Sequence, residues 1–339
     1  MRVAICDFPS RYGFPPPGYG GIERWLWAVA VGARRAGADV DLLGTQWNVD
    51  ADGGWNVRPV RLQDLSPGSA ELAEIRAQRY DLMITIHKYP SDPDWRRAWE
   101  SVGCDVATFQ HASVYHHPAD TFDGERSRLY CYSQEMREVF AEHDPALELA
   151  VHLGREDGDG PATDGEDLVW IGRIDADKAP HIAVAAAGVL GRRIRLYGPV
   201  FDEDYVERHR DAFSAPHVEL MGETVGSRRD AVFREAGVLV YTYARNYVEA
   251  GVATLGESLR AGTPVAALAW RRGTCVDAAL CSATGAVALA DPDADDASAA
   301  LRLAEAIERA GALRAADVGE LGRQRFDPER HFRRLAGLR

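Results

Sequence analysis

The chain alternates short apolar runs with stretches in which apolar residues recur every three or four positions. The first pattern is typical of buried strands and the second of amphipathic helices. In the first half we predict a helix over residues 20–36, ended by Gly37, and strands over residues 2–7, 39–44, 81–86, 105–110 and 129–132. Because helices separate these apolar runs, the strands should form a parallel sheet covered on both faces.

The same alternation restarts at Leu168. Here we predict helices over residues 179–189, 227–235 and 252–261, and strands over residues 168–171, 194–197, 218–221, 238–241 and 265–268. Between the halves, residues 155–167 (REDGDGPATDGED) have the polar, glycine-rich composition of a linker. A chain of 339 residues also exceeds what one hydrophobic core usually supports.

These patterns predict an α/β protein with two doubly wound, Rossmann-like domains facing across a cleft. The N-terminal domain would cover residues 1–154 and the C-terminal domain residues 168–327, with the linker at 155–167. A last helix at about 328–339 could pack on either half. Ligands of such sheets bind at the carboxyl ends of the strands.

The formal net charge of −13 makes nucleic acid an unlikely partner, since an acidic surface repels phosphate backbones. An anionic ligand would need a few local cations. No apolar stretch is long enough to span a bilayer, and the N-terminus does not resemble a secretory leader. Five cysteines without CxxC spacing favour reduced thiols in a cytoplasmic protein over a disulfide framework or a zinc site. The oligomeric state stays open.

The strongest chemical pattern is a pair of glutamates, Glu249 and Glu257, with seven residues between them. Glu249 comes just before a predicted helix, and Glu257 would lie on its inward face two turns along. The N-terminus of this helix offers an anion unpaired amides and the positive end of the helix dipole. The backbone at this N-terminus belongs to Ala250, Gly251, Val252 and Ala253. The two carboxylates could thus reach hydroxyls on either side of a bound diphosphate. An ordinary amphipathic helix with two surface glutamates is the alternative.

A second pattern, Gly172-Arg173 followed by Lys178, comes directly after the strand 168–171. It would place two cations at the mouth of the cleft, where each charge-assisted contact to phosphate contributes roughly 1.5–3 kcal/mol. A solvated basic loop is the alternative. Near the N-terminus, Gly20-Gly21 at a helix start is typical of a loop that approaches phosphate. It does not match GxGxxG, so a nicotinamide dehydrogenase is disfavoured.

Two histidines, His87 and His111, end the predicted strands 81–86 and 105–110, where a ligand would bind. Either could instead be structural, and His116 and His117 are interpreted as loop residues. The triplets Asp175-Ala-Asp177 and Asp202-Glu-Asp204 match an Asp-x-Asp pattern that can bind a divalent metal ion. We interpret both triplets as solvated loops and expect no metal, because Arg173 and Lys178 flank the first triplet.

Taken together, the glutamate pair with Ala261-Gly262-Thr263-Pro264-Val265, the Gly172-Arg173…Lys178 loop and Gly20-Gly21-Ile22-Glu23 resemble retaining glycosyltransferase family 4, of the GT-B fold. Gly222-Glu223 after a strand resembles the base-binding loop of that family. Phe326 precedes a final helix, which in the family crosses back to the N-terminal domain. The proline-rich residues 15–20 resemble members of antibiotic pathways, of the avilamycin type.

The resemblance implies that Glu249 contacts the hydroxyls of the donor sugar and Glu257 the ribose of the nucleotide. It places Arg173, Lys178 and the backbone of Gly172 on the diphosphate, and His111 near the transferred sugar. The Gly20 and Gly21 amides would approach the phosphate, and Gly222 and Glu223 the base.

The reaction implied is transfer from a nucleotide sugar, most often a UDP sugar, to a small-molecule or glycoside acceptor, with retention and without a metal. The sequence departs from the family pattern at two places, so the identity of the donor sugar stays open. Ala250 stands where the family has Pro, and Trp270 to Asp277 replace a shorter glycine-rich loop. A catalytically silent relative that binds a nucleotide sugar or a partner enzyme, and a GT-B nucleotide-sugar epimerase, are the alternatives.

Overall fold

The computed structural model describes residues 1–49, 53–151, 153 and 165–338. The chain forms two compact units. Unit 1 comprises Met1–Pro16, Gly20–Leu153 and Asp327–Arg339, and unit 2 comprises Pro17–Tyr19 and Gly154–Phe326. The final helix therefore belongs to unit 1, whereas three residues of the proline-rich segment belong to unit 2. Most of the predicted linker, residues 155–164, lies outside the described residues.

Unit 1 is a parallel sheet flanked by helices. Its elements in chain order are β1 (Arg2–Cys6), α1 (Gly21–Arg35), β2 (Asp39–Leu43), β3 (Asn56–Arg58), α2 (Ala70–Gln78), β4 (Leu82–Ile86), α3 (Pro93–Glu100), β5 (Asp105–Phe109), β6 (Ser127–Cys131), α4 (Gln134–Val139) and β7 (Ala146–Leu147). The strand order is β3-β2-β1-β4-β5-β6-β7. The direction of strand addition reverses between β1 and β4, which makes this the topological switch point of unit 1.

Unit 2 repeats this architecture. Its elements are β8 (Leu168–Ile171), α5 (Pro180–Val189), β9 (Ile194–Tyr197), α6 (Glu203–Arg208), α7 (Arg210–Phe213), β10 (Val218–Gly222), α8 (Gly226–Glu235), β11 (Val238–Tyr241), α9 (Ala253–Ala261), β12 (Val265–Ala269), α10 (Cys275–Ala279), β13 (Gly285–Leu289), α11 (Asp296–Gly311) and α12 (Ala315–Arg325). The strand order β10-β9-β8-β11-β12-β13 reverses between β8 and β11. Every residue of β8, β11 and β12 is buried, as expected for parallel strands covered on both faces.

The last helix, α13 (Pro328–Leu335), packs on α1 within unit 1. The backbones approach so closely that a Cβ on Gly32 would lie 2.2 Å from the carbonyl oxygen of Pro328. At the other end of α13, the guanidinium of Arg334 pairs with Glu148, and Nδ1 of the fully buried His331 lies 3.3 Å from the same carboxylate. Apolar packing and a buried ion cluster together fix this helix.

Most predicted bounds differ from the structure by a residue at one end or the other, and two differences have a clear structural cause. The strand predicted at 129–132 runs over Ser127–Cys131, because its first residues pair in register with Val106 to Phe109. The last residues assigned to the linker are packed in unit 2. Asp167 pairs with Arg193 and Arg195, and a Cβ on Gly165 would lie 2.1 Å from the carbonyl oxygen of Glu235.

Candidate functional site

The switch point of unit 2 gathers the loops that follow β8 and β11. The β8 loop carries Gly172, Arg173 and Lys178, and the β11 loop leads to Glu249. Gly172 also lies against Gly198, which follows β9. Gly198 adopts a φ of 141°, and a Cβ there would be 1.7 Å from the carbonyl oxygen of Gly172. Only glycine allows these two loops to meet this closely.

Lys178 and Glu249 form a buried ion pair across the switch point. Tyr241, the last residue of β11, donates its hydroxyl hydrogen to Oε2 of Glu249 over 2.5 Å. Its Oη is also 3.5 Å from Lys178 Nζ. Burial and then the neighbouring Glu249 charge raise the pKa of Tyr241, so its hydroxyl remains a donor. Lys178 and Tyr241 therefore both hold the Glu249 carboxylate at the same oxygen, Oε2.

Arg173 contacts both carboxylates of the first acidic triplet. Its guanidinium nitrogens lie 3.1 Å from Asp175 Oδ2 and 3.4 Å from Asp177 Oδ2. Asp175 is buried, accepts a hydrogen bond from the Lys178 amide and has its pKa raised by burial. The interpretation of Asp175 as part of a solvated loop is thus wrong, because this side chain anchors the Arg173 loop. Asp202 of the second triplet caps α6 by accepting from Tyr205 N.

Glu257 lies two turns along α9, on its buried face as predicted. Arg229 of α8 binds both of its carboxylate oxygens, at 2.6 and 3.3 Å. Carboxylate oxygens have several lone pairs, so this bidentate contact still leaves acceptor capacity. The backbone from Ala250 to Ala253 leads into α9, whose N-cap residue Val252 provides no side-chain cap for the first-turn amides.

Gly222 ends β10 with a φ of 69°, and its carbonyl accepts from Gly198 N. Glu223 follows and is exposed. Beside it lies Gly18, on which a Cβ would be 3.2 Å from Glu223 Oε2. The predicted base-binding pair therefore borders the short N-terminal segment Pro17–Tyr19.

Sequence reasoning missed several groups at this site: Phe201, Arg229, Tyr241 and Tyr247. Tyr241 could have been found by the rule that singled out His111, since it also ends an apolar strand. The ring of Tyr247 lies 5.3 Å from Lys178 Nζ, and the guanidinium of Arg173 lies 5.5 Å from the Phe201 ring centre. Only the folded chain brings these aromatic partners to the cations.

In unit 1, His87 and His111 follow β4 and β5 as predicted and contact each other. The amide of His111 donates to His87 Nδ1 at 3.3 Å, and His111 Nε2 is 3.0 Å from the Tyr132 hydroxyl. Burial lowers the pKa of His87 to about 4, so this ring is neutral at physiological pH. His117 lies in a loop but is buried, and its Nε2 contacts Gln110 Oε1 at 2.9 Å.

Gly20 caps α1 and Gly21 is its first residue. Gly20 has a φ of 143°, and a Cβ there would lie 2.9 Å from Oε2 of the buried Glu23. Ser10 donates a hydrogen bond of 2.5 Å to the other oxygen of Glu23. At the start of α1, Gly20 is thus buried against the Glu23 carboxyl, whereas Gly21 is exposed.

Three further findings concern the described part of the chain. No group of three His, Cys, Asp or Glu side chains there has the geometry to hold a metal ion. No helix within those residues is both long and apolar enough to cross a membrane. All five cysteines are unpaired thiols, and only Cys281 is exposed.

No family model and no curated protein matches the sequence. Solved structures do match over nearly the whole chain. AviGT4, a glycosyltransferase involved in avilamycin A biosynthesis, shares 19% identity at a TM-score of 0.75, covering 99% of this chain and 96% of its own. HepE of Anabaena in complex with UDP gives 15% identity and a TM-score of 0.71, with 99% of each chain covered. WaaG, a glycosyltransferase involved in lipopolysaccharide biosynthesis, shares 14% identity at a TM-score of 0.64, covering 99% of this chain and 100% of its own. The expected α/β, GT-B fold is confirmed.

Proposed function

We propose that the chain is a glycosyltransferase that moves a sugar from a nucleotide sugar onto an acceptor, with unit 2 holding the donor. The observation that carries this proposal is the cluster of Arg173, Lys178 and Glu249 at the switch point of unit 2. Two cations suit a diphosphate, and a carboxylate suits sugar hydroxyls. In a chain of net charge −13, such a cluster is what an anionic ligand requires. The fold shared with HepE, which binds UDP, favours UDP as the carrier.

The chemistry follows from where charge develops. When the sugar leaves, negative charge builds on the nucleoside diphosphate, and fixed cations stabilise it without reorganisation. Arg173 and Lys178 supply these cations, while the Gly172 backbone and the amides of Gly251 and Val252 at the start of α9 add donors. The carboxylates that hold both cations keep them oriented before the donor binds.

Glu249 is assigned to the hydroxyls of the transferred sugar and Glu257 to the ribose. Tyr241 and Lys178 orient the first carboxylate, and Arg229 orients the second. A carboxylate held from one side by a donor still accepts from a ligand hydroxyl on the other. Each glutamate is thus prepared as an acceptor, in agreement with the roles implied by family 4. Gly222 and Glu223 stay assigned to the base.

The reaction is proposed to need no metal and to retain the anomeric configuration. The proposal that no metal is needed is supported by the contacts of the first triplet, because its carboxylates, Asp175 and Asp177, already contact the Arg173 guanidinium. Excess EDTA should therefore leave turnover unchanged. Loss of turnover with EDTA, restored by magnesium or manganese, would contradict this point. Retention is tested by NMR of the product anomer.

His111 in unit 1 is assigned to the transferred sugar, and Gly20 and Gly21 to the phosphate, on the resemblance alone. The hydrogen bond between His111 Nε2 and the Tyr132 hydroxyl orients the imidazole ring, as a positioned sugar contact requires. His111→Ala should leave nucleotide affinity intact while turnover falls. Normal turnover would make His111 a structural residue.

The acceptor is proposed to be a small molecule or glycoside of natural-product biosynthesis. Its support is the likeness to AviGT4 and the proline-rich segment before α1. The cytoplasmic location also stays a prediction. Product analysis by mass spectrometry, with candidate aglycones present or absent, tests the acceptor. It also distinguishes transfer from the epimerase alternative, which would convert the donor without any acceptor.

The first experiment is a thermal-shift panel of UDP, GDP and dTDP. A ligand at 100 times its dissociation constant stabilises the folded protein by about 2.7 kcal/mol, which is readily measured. UDP should raise the melting temperature most. If none of the three nucleotides stabilises the protein, the donor assignment fails.

A further inference from the structure

Exposed apolar side chains gather where β9 and β10 end, beside the proposed phosphate cations. Val200 and Phe201 follow β9, and Val225 follows β10. Their exposed fractions are 47%, 43% and 47%. In an acidic protein with ordinary buried cores, such a group of exposed side chains points to a ligand surface.

Phe201 forms part of an aromatic corner with Tyr19. The two ring centres are 5.8 Å apart and their planes are inclined by 50°. Tyr19 belongs to the short segment Pro17–Tyr19 that clusters with unit 2. An inclined pair of this kind leaves ring surface uncovered, so a third planar group can stack in the corner. We refer to Tyr19 and Phe201 as the aromatic corner.

The aromatic corner adjoins the polar groups assigned to the nucleotide. The Arg173 guanidinium lies 5.5 Å from the centre of the Phe201 ring. On the other side, Gly18 is packed against Glu223 and Val225, with a Cβ reaching 3.2 and 3.3 Å. A planar ring in the corner would therefore lie between a phosphate cation and the Gly222-Glu223 turn. That order matches the order of phosphate and base in a nucleotide.

We propose that Tyr19 and Phe201 form the stacking surface for the nucleobase of the donor. The inference rests on the proposed function, and it assigns the base to two residues that no sequence motif marks. Stacking on an aromatic side chain tolerates every base, because each base has a π-face. The corner would thus supply affinity for any nucleotide, while selection among bases would come from polar neighbours such as Glu223.

The test is calorimetric titration of the full chain with UDP and, separately, with inorganic pyrophosphate. Phe201→Ala and Tyr19→Ala should each weaken UDP binding about tenfold or more, which is the usual effect of losing one stacking partner. Pyrophosphate binding should not change, because pyrophosphate has no base. Phe201→Tyr should restore UDP affinity to within about threefold. Leu301→Ala is the matched control, since it removes an exposed apolar side chain of unit 2, on α11, that is not part of this surface.

Three results would overturn the proposal, and they differ from one another. Equal UDP affinity in wild type, Phe201→Ala and Tyr19→Ala removes the stacking role but leaves the donor site standing. Equal losses of UDP and pyrophosphate in Phe201→Ala would show that this ring only holds Arg173. If wild type binds none of UDP, GDP and dTDP, the proposed function itself fails, and the base assignment fails with it.

Discussion

The hydroxyl of Tyr241 donates a 2.5 Å hydrogen bond to Oε2 of Glu249. This contact joins the end of β11 to the residue assigned to the donor sugar, and it fixes the carboxylate in one orientation. Tyr241→Phe keeps the ring and removes only the donor. We expect turnover to fall about tenfold, the usual effect of one hydrogen bond to a charged group, with UDP affinity unchanged.

The control for this variant is Tyr243→Phe, which also alters a buried tyrosine of unit 2 but leaves the Tyr241–Glu249 contact intact. Steady-state kinetics and calorimetry on both variants provide the measurement. Equal kinetics for wild type and Tyr241→Phe would show that Glu249 needs no such restraint.

The second prediction concerns the two cations of the candidate site, Arg173 and Lys178. Arg173→Ala and Lys178→Ala should each weaken UDP binding by about tenfold or more, since each removes a cation assigned to the diphosphate. Arg302→Ala, on the exposed face of α11, removes a positive charge elsewhere and should have no effect. Unchanged affinity in both site variants would remove the diphosphate from this loop.

The two glutamates should separate in function. Glu249→Gln is expected to lower kcat by about tenfold or more, because Glu249 is assigned to the reacting sugar. Glu257→Gln should instead weaken UDP binding, because Glu257 is assigned to the ribose and because Arg229 loses its charged partner. Titration with UDP and kinetics with a UDP sugar distinguish the two. If both variants bind UDP and turn over like wild type, the site lies elsewhere.

The ion cluster under α13 predicts sensitivity of unit 1 to acid. Burial alone would raise the pKa of Glu148, but contacts with His331 and Arg334 lower it to about 2, against an ordinary value of 4.5. A carboxyl with a depressed pKa stabilises the fold above pH 4.5, and this contribution disappears as the pH falls toward 2. It amounts to about 3 kcal/mol at most.

Burial also lowers the pKa of His331, so protonation of this residue at low pH likewise destabilises the folded state. Glu148→Gln should reduce the free energy of unfolding at pH 7 and flatten its decline between about pH 5 and pH 3. Glu138→Gln, at an exposed position on α4, should leave the profile unchanged. Urea unfolding across this pH range tests the expectation, and coincident profiles of wild type and Glu148→Gln would refute it.

Much of the sheet architecture could be predicted because buried parallel strands are continuously apolar. β8, β9 and β11 have the predicted bounds. β3 and β7 were missed because they are short and lack an apolar run. β13 was missed because GAVAL is built mainly of small residues that β-propensity does not distinguish from a loop or a helix.

The sequence predicted individual residues of the candidate site but not the contacts between them. Glu249, Glu257, Arg173 and Lys178 stand in recognisable local patterns, but their partners are far away in the chain. Lys178 meets a carboxylate 71 residues later, and Glu257 meets Arg229 of a different helix. The burial of Asp175 was missed because most of the segment from Gly172 to Lys178 is polar, whereas the burial of Asp175 comes from tertiary packing.

The most direct test of the account is turnover of a nucleotide sugar by the full chain. UDP-glucose and other UDP, GDP and dTDP sugars are incubated with the protein and a panel of candidate aglycones and glycosides as acceptors, and the nucleoside diphosphate released is measured by chromatography. The account predicts that wild type and Arg302→Ala both consume at least one of these donors, and that a UDP sugar is among those consumed. It also predicts that Glu249→Gln consumes this donor at least about tenfold more slowly. The absence of turnover with every donor, or equal turnover by Glu249→Gln and wild type, would contradict the account.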